Sequence, residues 1–344
     1  MLIIGCDYHP GFQQLAILDR QTGEIEYRRL HTLEEAGSFF RGLKERALLG
    51  LESSGFSQWF ERLVEESGHE LWVGDAAQIR ASVVRRQKTD VRDAEHIVRL
   101  LAEGRFPRLW VPSAAERDVR QLLVHRHQRV RLRTQVKNQL HAIALNQGLR
   151  KQRQLWTEAG REQLEKLELP PYTARRRDEL LAQLDQLNQQ IAALDQVVRA
   201  EAQQRPEVVR LMTHPGVGPQ TALAFVLTVG KVQRFARAKQ VASYVGLIPR
   251  EYSSGGKQRL GHISKQGSPF LRFLLVEAGQ SAARWDLELK RAYVRLALRR
   301  SRAQAKVAIA RRLAIRLYWM LRSGQTYAQF RSGAGKPESS RGGQ

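Results

Sequence analysis

Four carboxylates are the residues best placed to do chemistry. Asp90 and Asp93 are spaced i, i+3 in KTDVRDAEHIVRLL (residues 88–101), so on a helix both leave one face. Thr89 has the right side chain to cap that helix. Ala94, Ile97, Val98, Leu100 and Leu101 give it a packing side, and the basic run Arg85-Arg86-Gln87-Lys88 precedes it. Two further acids close short apolar stretches: Asp7 ends Leu2-Ile3-Ile4-Gly5-Cys6-Asp7, and Glu52 ends Ala47-Leu48-Leu49-Gly50-Leu51-Glu52. Clustered carboxylates are hard oxygen ligands and imply magnesium or manganese. Two such ions about 4 Å apart can clamp the attacking and leaving oxygens of a phosphodiester. Taken singly, each acid has an ordinary role. A strand-ending acid often serves a turn or cap, and Asp90 could simply face the helix dipole. Asp19 and Asp75 also end strands, but neither has a second acid beside it, and they are expected to be ordinary turn or cap residues.

The elements that must position these acids can be read in order. Leu2–Asp7, Gln14–Asp19 and Glu24–Leu30 predict a three-strand meander, turned at Pro10-Gly11 and Gln21-Thr22-Gly23. Thr32 with Glu35 predicts a capping box opening a helix that runs to about Lys44. A short buried strand ends at Glu52, a helix spans 58–67, and a fifth strand covers Glu70–Asp75. Three strands, then helix–strand–helix–strand–helix, is the order of a ribonuclease-H-like fold. In that order Asp7, Glu52, Asp90 and Asp93 can converge at one sheet edge. The single cysteine, Cys6, excludes a disulfide framework and a cysteine-based zinc site. In a buried strand it is expected to be a small core residue.

Beyond residue 112 the chain reads as helical and basic. Residues 114–148 carry Arg126, Arg129, Arg131, Arg133 and Lys137 opposite an apolar side, a pattern that favours phosphate contact over a merely solvated face. After Pro170-Pro171, the residues Leu180, Leu184, Leu187, Ile191, Leu194 and Val198 recur at alternating spacings of four and three. That seam predicts a coiled coil and dimerisation through it. The segment HPGVGPQTALAFV (214–226) resembles the hairpin of a helix–hairpin–helix, whose glycines free backbone N–H groups for a phosphate. A Ser/Gly turn, Ser253-Ser254-Gly255-Gly256, follows, and a long basic helical region spans 285–321. Residues 332–344 are expected to be a disordered tail. The domains expected are therefore 1–112 (catalytic), 113–205 (basic helices and coiled coil) and 206–331, with the tail beyond. Lys plus Arg total 57 against 34 for Asp plus Glu, a formal net charge of +23, which makes a nucleic-acid polyanion the expected partner. No apolar run is long enough to span a bilayer, and the first residues lack the charged head of a signal peptide.

Together these motifs resemble the insertion-sequence-110 family of transposases. GCDYHPG, GLESSG and KTDVRDAEHIVRLL match its ribonuclease-H-fold (RuvC-like) domain. HPGVGPQTALAFV and ASYVGLIPREYSSGGKQRLGHISKQGSPFLR match its mostly helical C-terminal transposase domain. The likeness covers residue 1 to about 331. It implies that Asp7, Glu52, Asp90 and Asp93 form a metal-binding acidic tetrad using Mg2+ or Mn2+. It further implies that a serine, Ser254 in the family's Ser-Gly motif, attacks DNA to give a covalent phosphoserine link. Chemistry alone leaves Ser253, Ser264 and Ser268 open. A serine needs activation by a base or a metal, and the family implies a composite site to which serine and acids both contribute. Arg250, Lys257, Arg259, Lys265 and Arg272 are candidate phosphate clamps or plain surface cations. The resemblance also implies double-stranded DNA, a non-coding bridge RNA that guides target choice, a homodimer or tetramer, and a cytoplasmic, nucleoid-associated prokaryotic setting. Two other classes fit the acids or the charge alone: a metal-dependent structure-specific nuclease acting by hydrolysis, and a non-catalytic basic RNA-binding protein.

Overall fold

The computed structural model describes residues 1–83, 89–150, 154–252 and 259–332. The chain divides into two compact units, Met1–Val111 and Pro112–Gln344.

The first unit is built on a five-stranded mixed sheet. Strands β1 (Leu2–His9), β2 (Phe12–Asp19) and β3 (Ile25–Leu30) form the antiparallel meander expected. Helix α1 (Leu33–Gly42), β4 (Leu48–Glu52), α2 (Gln58–Glu66), β5 (Glu70–Gly74), α3 (Ala76–Ala81) and α4 (Asp90–Ala102) follow. The order across the sheet is β3-β2-β1-β4-β5, with β4 and β5 parallel to β1. Thr32 caps α1 by accepting from Glu35 N (3.1 Å), and the Glu35 carboxylate accepts from His31 N (2.6 Å). Asp75 is the N-cap of α3, accepting from Ala77 N and Gln78 N, and Asp19 accepts from Gln21 N in the turn after β2. Both acids therefore have the ordinary roles expected of them.

Alternation along β1 divides the core in two. Ile4 and Cys6 lie with Phe40 and Phe60 on one side of the sheet, whereas Ile3 lies with Ile97 and Val98 of α4 on the other. Cys6 is fully buried, as a core residue should be. Burial pushes its thiol well above the usual range, with the Asp7 charge adding to the effect.

Two glycines set how closely α4 approaches the sheet. A Cβ on Gly5 would lie 2.2 Å from the Ala94 carbonyl oxygen and 2.8 Å from Val98 N, and one on Gly50 would strike Leu101 and Ile97 at 2.7 and 2.8 Å. Ala94, Ile97, Val98, Leu100 and Leu101 are all buried beneath the helix, and burying each larger side chain contributes roughly 1.5–3 kcal/mol. Thr89 caps the helix by accepting from Arg92 N (3.3 Å). Asp90 and Asp93 consequently open α4 in its first turn.

The second unit contains α5 (Ala114–Asn146), α6 (Glu158–Glu165), α7 (Pro171–Gln203), α8 (Pro206–Met212), α9 (Pro219–Val229) and α10 (Ala238–Tyr244). A small hairpin, β6 (Pro249–Glu251) and β7 (Leu260–Ile263), precedes α11 (Pro269–Trp285), α12 (Leu287–Arg299), α13 (Arg302–Ser323) and α14 (Tyr327–Ser332). The basic stretch 285–321 is thus broken between α12 and α13, where Ser301 caps the second helix. Residues 333–344, expected as a tail, lie outside the described residues.

The heptad seam needs correction. Leu180, Leu184, Leu187, Ile191 and Val198 are buried within the single chain. Leu180, Leu184 and Leu187 share a core with Val136, Leu140 and Ile143 of α5, while Val198 and Ala202 join Leu123 at its other end. The two long helices therefore pack antiparallel, and α5 occupies the seam expected to receive a second copy. An intramolecular pair produces the same seven-residue repeat as an intermolecular one, because both need an apolar stripe facing one neighbour. Val198 and Leu123 belong to one core with α8, α9, α11 and α13, whereas Val136, Leu140, Leu180 and Leu187 belong to a second core lying wholly within 113–205, so the expected boundary at 205 cuts the first core and leaves the second whole. Arg126, expected on a phosphate-facing surface, donates instead to Asp195 (2.9 and 3.2 Å) and to Gln220 (3.0 Å).

A buried polar node ties the end of the chain down. Asp286 is 2% exposed and accepts from Arg316 (2.7 Å), from Leu289 N (2.7 Å) and from the Tyr327 hydroxyl. Burial alone would push its carboxyl up, but these donors and the Arg316 charge hold it at about 2. Tyr327 N also donates to Thr213 (2.8 Å), docking α14 against the α8–α9 turn. In that turn Gly216 has φ +80°, and a Cβ there would lie 2.4 Å from Ala282 N of α11. The hairpin-like motif is thus packed into the unit on that side.

Gly5→Ala is expected to cost about 1–3 kcal/mol, because the added methyl meets helix backbone that no side-chain rotation can clear; a lower urea midpoint would show it. Leu187→Ala should cost about 2–5 kcal/mol, with a midpoint independent of protein concentration. A midpoint that moves with concentration would show that the seam is shared between chains.

Candidate active site

Asp7 lies near the end of β1, on the α4 side of the sheet. Its antiparallel partner on β2 is Gln14, whose partner on β3 is Arg29. Directly opposed residues share a sheet face, so Asp7, Gln14 and Arg29 form one row running under the start of α4. His9 follows Asp7 by two residues on the same strand and returns to the same face. Its Nε2 lies 3.2 Å from Asp7 Oδ2 and 3.8 Å from Asp90 Oδ1. Arg29 donates to the other Asp90 oxygen at 3.1 Å. One ligand atom each from Asp7, His9 and Asp90 falls within 4.8 Å of the other two.

The four expected acids are therefore unevenly placed. Asp7 and Asp90 meet. Asp93, on the same turn of α4 as Asp90, stands close enough to Asp7 to act on its titration. Glu52 is one residue beyond Leu51, which pairs with Cys6. It therefore ends the neighbouring parallel strand beside Asp7, and an Arg80 nitrogen lies 3.9 Å from its carboxylate. His9 and Arg29 were not among the expected residues. The signal for His9 was its two-residue spacing from Asp7 in a strand. Arg29 had no local signal, because only the β1–β2–β3 register brings it to Asp90.

Burial pushes the Asp7 carboxyl above the usual carboxylate range. The charge and hydrogen bond of His9 pull it down, and the negative charges of Asp93 and Asp90 push it up. A desolvated acid facing two like charges favours any added cation. Two carboxylates and an imidazole converging on one point fit a divalent ion. When bound, such an ion could neutralise a phosphate and lower the pKa of an attacking oxygen.

In the second unit, Ser253, Ser254 and Lys257 lie outside the described residues, as do Arg85, Arg86 and Lys88 in the first. Strands β6 and β7 flank the Ser-Gly stretch as an antiparallel pair. Ser268 is the N-cap of α11, accepting from Leu271 N at 3.2 Å. Ser264 Oγ is buried without a hydrogen-bond partner among the described residues. Arg272 is directed to the carbonyl groups of Val245, Gln266 and Gly267, and so holds the loop before α11 together. Arg259 and Lys265 are exposed, and Arg250 donates to the Ser264 carbonyl at 3.4 Å.

Comparison with known proteins agrees with both halves. Residues 4–148 match a DEDD transposase family of the IS110 type, and residues 208–295 match the family described as Transposase IS116/IS110/IS902. The chain is 30% identical over 337 residues to a "Probable family 20 transposase" of Pseudomonas aeruginosa, covering 94% of this chain and 97% of that protein. The chain belongs to the IS110 family of transposases. It is also 26% identical over 340 residues to the transposase for insertion sequence element IS1111A of Coxiella burnetii, covering 94% of this chain and 91% of the relative. A third relative, the transposase for insertion sequence element IS1328 of Yersinia enterocolitica, is 29% identical over 236 residues, 68% of this chain and 70% of the relative. Transposases cleave and rejoin DNA, so this one is an enzyme acting on DNA. Asp7, His9 and Asp90 all fall inside the first matched segment. Among the described residues, no helix of this transposase is long and apolar enough to cross a membrane.

The raised Asp7 carboxyl sets a pH dependence. Folded Asp7 holds its proton to higher pH than unfolded Asp7, so the stability it contributes is present at low pH and lost as pH rises through the folded value. Asp7→Asn should therefore raise the melting temperature of the metal-free protein at neutral pH, by an amount that fades in acid. A divalent ion should raise the melting temperature of the parent and leave that of Asp7→Asn unchanged.

Proposed function

We propose that this transposase moves its insertion sequence by RNA-guided strand exchange through a covalent phosphoserine–DNA intermediate, with Asp7, Glu52, Asp90 and Asp93 as the metal-binding tetrad and Ser254 as nucleophile. The observation carrying the metal half is the convergence of Asp7, His9 and Asp90 at the sheet edge. Oxygen-rich donor sets of this kind suit magnesium, and manganese equally by donor type. Asp93 and Glu52 complete the set by their places beside Asp7, on the first turn of α4 and at the end of β4.

In the covalent step the Ser254 Oγ–H bond breaks and an Oγ–P bond forms. The phosphorus–oxygen bond to one DNA strand breaks in exchange, and the released DNA hydroxyl takes up the proton. Rejoining reverses the step with the hydroxyl of another strand, so no external energy source is required. Support for the serine comes from the Ser-Gly stretch between β6 and β7 and from its likeness to the family's motif. Exposed Arg259 and Lys265 near that stretch are suited to hold phosphate. The formal charge of +23 supports a large polyanionic partner, and we propose that this includes both DNA and a bridge RNA. A homodimer, assembling to a tetramer on paired DNA sites, would bring four sets of acids and serines to four strands. Because α5 fills the α7 seam, that assembly uses other surfaces.

Ser254→Ala should abolish both strand exchange and the trapped protein–DNA adduct while leaving DNA binding within about threefold of the parent, since one hydroxyl adds little to a charge-dominated interface. Cleavage at full rate by Ser254→Ala, with no adduct in the parent, would falsify the covalent route and favour hydrolysis by a structure-specific nuclease. Glu52→Gln should abolish strand exchange with binding retained; loss of both together would mean that Glu52 is structural.

A further inference from the structure

We infer that His9 is itself a ligand of the metal centre, a nitrogen donor that shifts ion choice in this chain from magnesium toward manganese. Resting on the proposal that the acids hold a metal, the inference adds a residue outside the tetrad and a selectivity that the tetrad alone does not imply.

The argument is geometric. Neighbouring ligands of one octahedral ion with bonds of about 2.1 Å stand roughly 3 Å apart. His9 Nε2 is 3.2 Å from Asp7 Oδ2 and 3.8 Å from Asp90 Oδ1, close to that spacing before any ion has drawn the groups together. All three ligand atoms lie within 4.8 Å of one another. A histidine serving only as a counter-charge needs one carboxylate; this one faces two, from different elements.

The ring is also held in that orientation. His9 pairs with Phe12 across the β1–β2 ladder, and the two rings stack with centroids 4.6 Å apart and planes 26° from parallel. The Arg29 guanidinium lies over the same Phe12 ring at 3.7 Å and donates to Asp90 Oδ2 at 3.1 Å. One phenyl ring thus braces both groups that face Asp90. Arg29 takes one carboxylate oxygen, and the other is left toward His9 and Asp7. Groups that orient ligands in this way tune a metal site from outside its ligand set.

Donor chemistry gives the consequence. Carboxylate and water suit magnesium and manganese alike, whereas imidazole favours transition ions over magnesium. An all-carboxylate site would discriminate weakly. Replacing one oxygen by an imidazole nitrogen favours Mn2+.

The test uses the full-length protein, freed of metal and titrated with Mn2+ and separately with Mg2+. Pulsed electron paramagnetic resonance of the Mn2+ form should show hyperfine coupling to a directly bound nitrogen, and His9→Gln should remove that coupling. His9→Gln should also weaken Mn2+ by about tenfold or more, at least the loss seen when a partner that merely orients a ligand is removed, with Mg2+ affected less. His9→Asp, which supplies a charged oxygen donor, should bind Mg2+ more tightly than His9→Gln, whose neutral amide oxygen is the weaker ligand, and show no nitrogen coupling. A parent spectrum without bound nitrogen, or equal Mn2+ affinity in parent and folded His9→Gln, overturns the inference. The underlying metal proposal fails separately, if Asp7→Asn binds Mn2+ as tightly as the parent.

Discussion

The close contact between α4 and the sheet is the constraint on which the rest of the first unit depends. Asp90 sits at the start of a helix and Asp7 near the end of a strand, and neither position alone fixes their separation. What fixes it is the depth to which α4 sinks. Gly5 and Gly50 present no Cβ where the helix backbone and the Ile97 and Leu101 side chains come down. The apolar side of α4, from Ala94 to Leu101, then buries against the sheet. A helix riding one methyl group higher would carry Asp90 away from Asp7 and His9. The price is electrostatic, because the contact places like charges together around a partly desolvated carboxyl. His9 and Arg29 offset that repulsion on the protein side, and a divalent ion would offset it more fully.

In the second unit, polar groups at helix junctions do comparable work. Arg126 joins α5 to Asp195 on α7 and Gln220 on α9, so three helices share one guanidinium. Asp286 collects donors from α12, α13 and α14. Breaking a buried pair of this kind leaves an uncompensated charge, which costs far more than an exposed pair contributes. A strongly basic chain thus uses some of its arginines internally. Its total of 57 Lys and Arg therefore overstates the cations that can meet nucleic acid.

Much of the fold was legible because its signals are local. Strand alternation and the Thr32 and Thr89 caps each depend on a few neighbouring residues, and they appear where expected; so does the order of elements in the first unit, except that the short helix α3, capped by Asp75, enters between β5 and α4. The heptad in α7 was equally legible as a repeat. Its partner was not, because an apolar stripe records that something covers it without recording which chain supplies the cover. Arg126 and Arg272 misled for a similar reason. A cation on a helix reads the same whether it faces phosphate, a carboxylate on the next helix, or loop carbonyl groups.

The candidate site divides along the same line. By itself the sequence determined which acids could serve and that they would sit at strand ends and on one helix turn, since spacing and periodicity are properties of a short stretch of backbone. It also carried the family resemblance, written in motifs such as GCDYHPG and KTDVRDAEHIVRLL. Only the tertiary structure decided that His9 faces both Asp7 and Asp90, that Arg29 lies in the row of Asp7 and Gln14, and that Glu52 faces Arg80. Those relations depend on strand register and on the depth of helix packing. Both are set by contacts between residues far apart in the chain, where no local pattern can specify a distance.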